Sequence, residues 1–227
     1  MNIPQLFYNT WTIKYDTIGD DVNYKFIEEG KTLYIYFQGS SGKTDWICNF
    51  LFRKKPYKDM DMPYRVHRGF LKCWKQVEDI VIAKITEEDE TGEMKFNRII
   101  TSGYSHGGAL AALCHECVWY HRQDIKDDIW GFGFEGPRIY GGFCMKKELR
   151  ERWEHFILFR NDNDIVTHVP PKLFAFTHVG NVFHIGRGRK FSPIKSHYPQ
   201  NVLSSLKEIS IDIDKDILEN IQIEFKE

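Results

Sequence analysis

Residues 100–113 read ITSGYSHGGALAAL, and within them Gly103, Tyr104, Ser105, His106 and Gly107 spell GxSxG. The letters alone are common; their setting is not. Residues 99–102 form a short apolar run of the kind that makes a buried strand, and residues 107–119 are rich in alanine and leucine and predict a helix. A serine held between a strand and a helix needs a turn so sharp that its neighbours two positions away carry no side chain. Gly103 and Gly107 meet that need. The helix that follows points its first amides at the serine, so the backbone amide of His106 is placed to donate to an oxyanion, while its ring either lines the pocket or does not.

Outward from this turn the pattern is α/β. Residues 11–15, 22–27 and 32–37 predict short strands separated by polar or glycine-containing turns. Phe70, Trp74, Val77, Val81 and Ile85 recur at helical spacing, and the acidic run at residues 87–90 ends that helix in solvent. Strands are expected at residues 129–134, 156–159 and 182–185, and helices at residues 145–152 and 200–207. The tail from Ile209 alternates, as an edge strand or a surface arm would. Strands alternating with helices imply an open, mostly parallel sheet with helices on both faces and a ligand site at the strands' carboxyl ends. A chain of 227 residues suits one such domain, spanning residues 1–227.

Composition narrows the function. A net charge of −1 leaves no electrostatic footprint for nucleic acid, and 42% hydrophobic with 28% charged residues is ordinary for a globular chain. No apolar stretch is long enough to span a bilayer, and the first residues do not read as a signal peptide. Five scattered cysteines lean toward reduced thiols and an intracellular setting. Cys114 and Cys117 form a CxxC inside a predicted helix with no second ligand pair, which reads as a buried structural pair. The GSSGKT at residues 39–44 is no phosphate loop, because the position five before Gly42 is Phe37 and not glycine. The histidines are not paired at metal-ligand spacing, so neither metal nor cofactor is expected.

Further motifs agree with the serine turn. Phe37, Gln38, Gly39 and Ser40 precede Asp45 and Trp46; His67, Gly69, Phe70 and Trp74 open a helix; Gly136, Pro137 and Arg138 leave a strand; Asn161, Asp164, Val166, Pro170 and Pro171 follow another; and His197 precedes Tyr198. Taken together these resemble the class 3 lipases, an α/β-hydrolase family of fungal and plant triacylglycerol lipases, over residues 33–207 or so. Tyr104 and His106 stand where that family usually has His and Leu, Gln38 replaces its arginine, and Thr167 replaces a common proline. None of these changes removes a catalytic group.

The resemblance implies a Ser105, His197, Asp164 triad in the chain order of the fold, with Ser40 and His106 as oxyanion donors. It also places a mobile lid at residues 46–52, with Trp46, Phe50 and Tyr104 near the substrate; the alternative is that Phe50 and Phe52 simply pack on the sheet. Among the late histidines, His184 lies within a strand and His178 precedes the last strand. His197 follows that strand in a loop just before Pro199, which opens the final helix. The implied activity is hydrolysis of lipid esters through an acyl-enzyme, at a membrane or droplet interface among other settings. A short-chain esterase, a phospholipase, or a non-catalytic interaction module on the same scaffold are the alternatives.

Overall fold

The computed structural model of the chain describes residues 1–19, 22–39, 53–57, 60, 65–141, 151–161, 163–186 and 192–208. The elements, in chain order, are helix α1 (Ile3–Thr12), strands β1 (Asp16–Ile18), β2 (Val22–Glu29), β3 (Thr32–Phe37), β4 (Lys54–Pro56) and β5 (Arg65–His67), helix α2 (Arg68–Ile85), and strand β6 (Arg98–Tyr104). Helix α3 (His106–His121), strands β7 (Ile129–Phe134), β8 (Tyr140–Gly141), β9 (Phe156–Asn161), β10 (Phe176–Thr177) and β11 (Asn181–Ile185), and helix α4 (Pro199–Glu208) complete them. Short 3₁₀ turns lie at Val166–His168 and Lys195–His197.

A seven-stranded sheet with order β1-β2-β3-β6-β7-β9-β11 forms the centre. Its first three strands run antiparallel to one another, and from β3 onward every pairing is parallel. Parallel strands must be buried on both faces, and the sequence of β9, FILFRN, is accordingly apolar at every position but its last two. One face carries α2 and α3 over Leu33, Ile35, Ile99 and Ile129, and the other carries α1 and α4 over Tyr36, Ile100, Phe132 and Ile157. Helix α3 is buried from Gly107 to Val118, which explains why its apolar residues form no single stripe.

The expected strands at residues 22–27, 32–37, 99–102, 129–134, 156–159 and 182–185 are present, each within a few residues of its expected ends. Residues 11–15 are not a strand. They begin in the last turn of α1, a helix whose first turn Asn2 caps at the Gln5 amide and which buries Ile3, Leu6, Phe7 and Thr10 at helical spacing. A second sheet, order β10-β8-β5-β4, is antiparallel throughout and was not expected. The helix expected at residues 145–152 and the tail from Ile209 lie, but for residues 151 and 152, outside the described residues. Cys114 and Cys117 are free and buried in α3, and burial pushes both thiols up, so they behave as small apolar residues.

Candidate active site

Ser105 joins β6 to α3 with φ 56° and ψ −120°. Such a backbone costs roughly 1–3 kcal/mol and persists only where its surroundings enforce it. They do so here through two bonds: the Ser105 amide donates to the Phe134 carbonyl at 2.8 Å, and the Gly108 amide donates to the Ser105 carbonyl at 2.9 Å. Contact also requires the flanking glycines. A Cβ on Gly103 would lie 2.0 Å from the Gly107 carbonyl oxygen, and one on Gly107 would lie 2.2 Å from that of Phe37.

The Ser105 Oγ lies 2.9 Å from His197 Nε2, and His197 Nδ1 lies 2.6 Å from Asp164 Oδ2. A carboxylate can only accept, so Nδ1 carries the ring proton and Nε2 is left to accept from the serine hydroxyl. Asp164 is fully buried, and its Oδ1 accepts from the Val166 amide at 2.9 Å. Ser105 stands at the carboxyl end of β6, Asp164 in the loop after β9, and His197 between β11 and α4. Three separate loops therefore meet where a parallel sheet assembles its ligands.

Each loop is held by buried polar groups. The Tyr104 ring stacks on the His197 imidazole, centroids 5.1 Å apart, and its hydroxyl donates to the His197 carbonyl. Asn161 at the end of β9 donates through Nδ2 to the Ser196 carbonyl at 2.7 Å and accepts from Ser205 Oγ of α4 at 2.8 Å. Arg138 donates to the carbonyls of His168 and Pro170, closing the segment that follows Asp164. His178 is tied to the Thr167 carbonyl at 2.9 Å, while His184 projects from an exposed face of β11; neither meets Ser105. Burial, with Arg160 and Arg138 nearby, pulls the His178 imidazole well below the usual histidine range.

His106 opens α3, so its amide sits beside Ser105 at the helix's positive end, and its ring tilts against Phe70 at 5.4 Å. The backbone leading to Ser40 runs close by, since a Cβ on Gly39 would lie 3.5 Å from the Ser105 Cβ. Ser40, Trp46 and Phe50 themselves lie outside the described residues. Tyr104, expected near the substrate, packs against His197 and Phe7 beside Ser105. Glu135 was missed by sequence reasoning. It is fully buried at the end of β7, and one oxygen each from Glu135 and Asp164 lies with a nitrogen of His197 inside a 4.8 Å cluster. That spacing could admit a divalent ion, but the protonated Nδ1 aimed at Asp164 makes it an acid–base cluster. A carboxyl at a strand exit next to the serine's strand was the available signal.

The family model for class 3 lipases, "Lipase (class 3)", matches residues 34–174. The chain belongs to the class 3 lipase family. Among curated relatives of this family member, the lipase of Rhizomucor miehei is 27% identical over 155 residues, covering 68% of this chain and 42% of the relative. The lipase of Rhizopus niveus is 28% identical over 154 residues, covering 67% and 38%. The chain thus spans about two-fifths of the length of these relatives. Among solved structures, Rhizopus niveus lipase II superposes with a TM-score of 0.63 at 25% identity, over 77% of this chain and 67% of that one. The propeptide complex of Rhizomucor miehei lipase gives a TM-score of 0.62 at 21% identity, over 85% and 67%. The α/β-hydrolase fold of the class 3 lipase family is therefore the fold of this chain.

Proposed function

We propose that the protein is a serine carboxylic-ester hydrolase acting on lipid esters, built as one α/β-hydrolase domain over residues 1–227. The observation that carries this reading is the continuous line of hydrogen bonds from Ser105 through His197 to Asp164, set at the carboxyl ends of a parallel sheet. A structural relative is described as a triacylglycerol lipase whose catalytic centre is a serine-protease triad.

In this reading Ser105 Oγ attacks the ester carbonyl as its proton passes to His197 Nε2. Asp164 keeps the ring in the right tautomer and balances the imidazolium. Charge forming on the carbonyl oxygen meets the positive end of α3, the His106 amide and the Ser40 amide. His197 then returns the proton to the departing alcohol, leaving an acyl group on Ser105. A water, deprotonated by the same histidine, releases the acid. No metal or cofactor enters a step of this cycle.

The lipid class is supported by what surrounds the acid and the base. Ile165 follows Asp164 and is 42% exposed, while Ile194 and Tyr198 flank His197 at 54% and 50%. The Ile165 amide is bonded to the Pro193 carbonyl, which brings these apolar groups to one rim. Exposed apolar residues beside a reacting centre suit an apolar substrate, and a lid at residues 46–52 opening at an interface is part of the same proposal. No helix among the described residues is long and apolar enough to cross a membrane.

The test is covalent labelling with a fluorophosphonate probe alongside turnover of nitrophenyl esters of rising chain length, with and without a lipid interface. Wild type is expected to label and Ser105→Ala not to, with kcat falling roughly 10⁶-fold in that variant. Equal labelling of the two would overturn the reading. Turnover that jumps when the ester forms droplets supports a lipase; smooth saturation through that point supports a short-chain esterase.

A further inference from the structure

The carboxyl of Glu135 takes no part in the mechanism above, yet it is buried and held by its backbone and by the neighbouring strand. Its backbone is at φ 54°, outside the usual range for a residue with a side chain, and its amide donates to the Phe159 carbonyl at 2.9 Å. Its Oε1 accepts from the Asn161 amide at 2.7 Å, extending the ladder between β7 and β9 by one bond with a side chain in place of a carbonyl. Oε2 is buried with no partner in hydrogen-bonding geometry. Such a group is costly to bury unless it does something.

The neighbourhood defines what it does. A Glu135 oxygen, an Asp164 oxygen and a His197 nitrogen all lie within 4.8 Å of one another, and both carboxyls are fully buried. Two carboxyls sharing so dry a site oppose each other's ionisation, which favours a proton on one of them. Asp164 already accepts from His197 Nδ1 and from the Val166 amide. Glu135 accepts the Asn161 amide, and burial, then the charge of Asp164 and a side-chain interaction with it, push it well above the usual carboxyl range. The other groups facing it are Arg160 of β9, which opposes that rise, and Tyr104 of β6, whose phenol the nearby carboxyls help keep neutral. Arg160 is itself bonded to His168, whose Nδ1 donates to the Asp164 carbonyl at 2.8 Å.

Building on the hydrolase reading, we propose that Glu135 is a second carboxyl of the triad's acid position: a positioning residue that holds one proton beside Asp164, and a reserve anion for His197 when Asp164 is lost. In an Asp164→Ala chain the like charge is gone while burial remains, so Glu135 releases its proton to buffer at a lower pH than in wild type, and its carboxylate then faces the imidazolium that forms when His197 takes the serine proton. The acid position is thereby two residues deep, supplied from the ends of β7 and β9.

The experiment is a double-mutant cycle in the full chain, comparing Asp164→Ala with Asp164→Ala/Glu135→Gln across pH. Removing a triad carboxylate outright typically costs roughly 10⁴-fold. The single variant is expected to lose only about 10²-fold, and the double variant the full amount. Their ratio removes the pH dependence that both variants share and is expected to grow by up to about tenfold per pH unit, one proton's worth, until Glu135 is ionised. Equal rates at every pH, with activity still dependent on Ser105, would overturn the role of Glu135 and leave the hydrolase reading standing. Activity indifferent to Ser105→Ala would overturn that reading and this inference with it. Should Asp164→Ala fail to fold, infrared difference spectra of wild type minus Glu135→Gln at neutral pH decide: a protonated carboxyl stretch supports the proposal and a carboxylate pair overturns it.

Discussion

Strands β6 and β7 lie side by side with Tyr104 opposite Phe134, and the next residue on each is a non-glycine with positive φ, Ser105 at 56° and Glu135 at 54°. The same backbone device thus occurs twice in register. What differs is the chain that follows. After Ser105 the chain enters α3, so the side chain is left at the sheet end, facing a histidine and the positive end of a helix. After Glu135 it runs through Gly136, Pro137 and Arg138 in irregular backbone, and the carboxyl turns inward to cap β9. The first strain suits the nucleophile proposed at Ser105, and the second suits the proton proposed on Glu135.

The largest effect that could break this comparison belongs to the base. His197→Ala is expected to lower turnover by several orders of magnitude, whereas His178→Ala and His184→Ala retain most of it, measured as kcat/KM on a soluble ester. An inactive His178→Ala beside an active His197→Ala would place the base elsewhere. A smaller effect separates the glycines of the two turns. A Cβ on Gly107 meets backbone oxygens of Phe37 and Gln38 at 2.2 and 2.7 Å, but one on Gly136 meets its first neighbours at an ordinary 3.4 Å. Gly107→Ala should therefore cost about 2–3 kcal/mol of stability, or roughly 4–12 °C in Tm, and Gly136→Ala under about 1 kcal/mol. Equal losses in urea unfolding would show that the two turns are not differently packed.

The smallest effect is the proton itself. Because the folded Glu135 pKa is raised, wild-type stability from this group is complete below the ordinary glutamate range and is lost as pH climbs toward the folded value. Glu135→Gln has no such proton to lose. Its stability relative to wild type should rise with pH above the ordinary glutamate pKa, by at most about 1.4 kcal/mol per pH unit, in urea titrations at stepped pH. A difference that stays constant or falls with pH would mean that Glu135 is ionised in the fold.

The legible parts were those with a period or a fixed spacing. Strands β3 and β7 are uninterrupted apolar or aromatic runs bounded by polar turns, and their ends match expectation residue for residue. The turn at Ser105 was legible because steric demand restricts positions 103 and 107 to glycine. Helix α1 was misassigned because the alternation at residues 11–15 outweighed Ile3, Leu6, Phe7 and Thr10, whose helical spacing was equally available. Strands β4, β5, β8 and β10 have two or three residues each, too few to show any period, and are defined only by their partners. Glu135 escaped notice because a charged residue after a strand ordinarily marks solvent, and only the tertiary fold turns this one inward.

Asn161 bears on the timing of any catalytic cycle. One buried amide side chain joins the exit of β9, the carbonyl preceding His197, and a serine of α4. Swinging the base loop away would strand these groups without partners, at about 1–3 kcal/mol for each. Those bonds tie the loop that carries His197 to the sheet end that leads to Asp164, so that displacing one displaces the partners of the other.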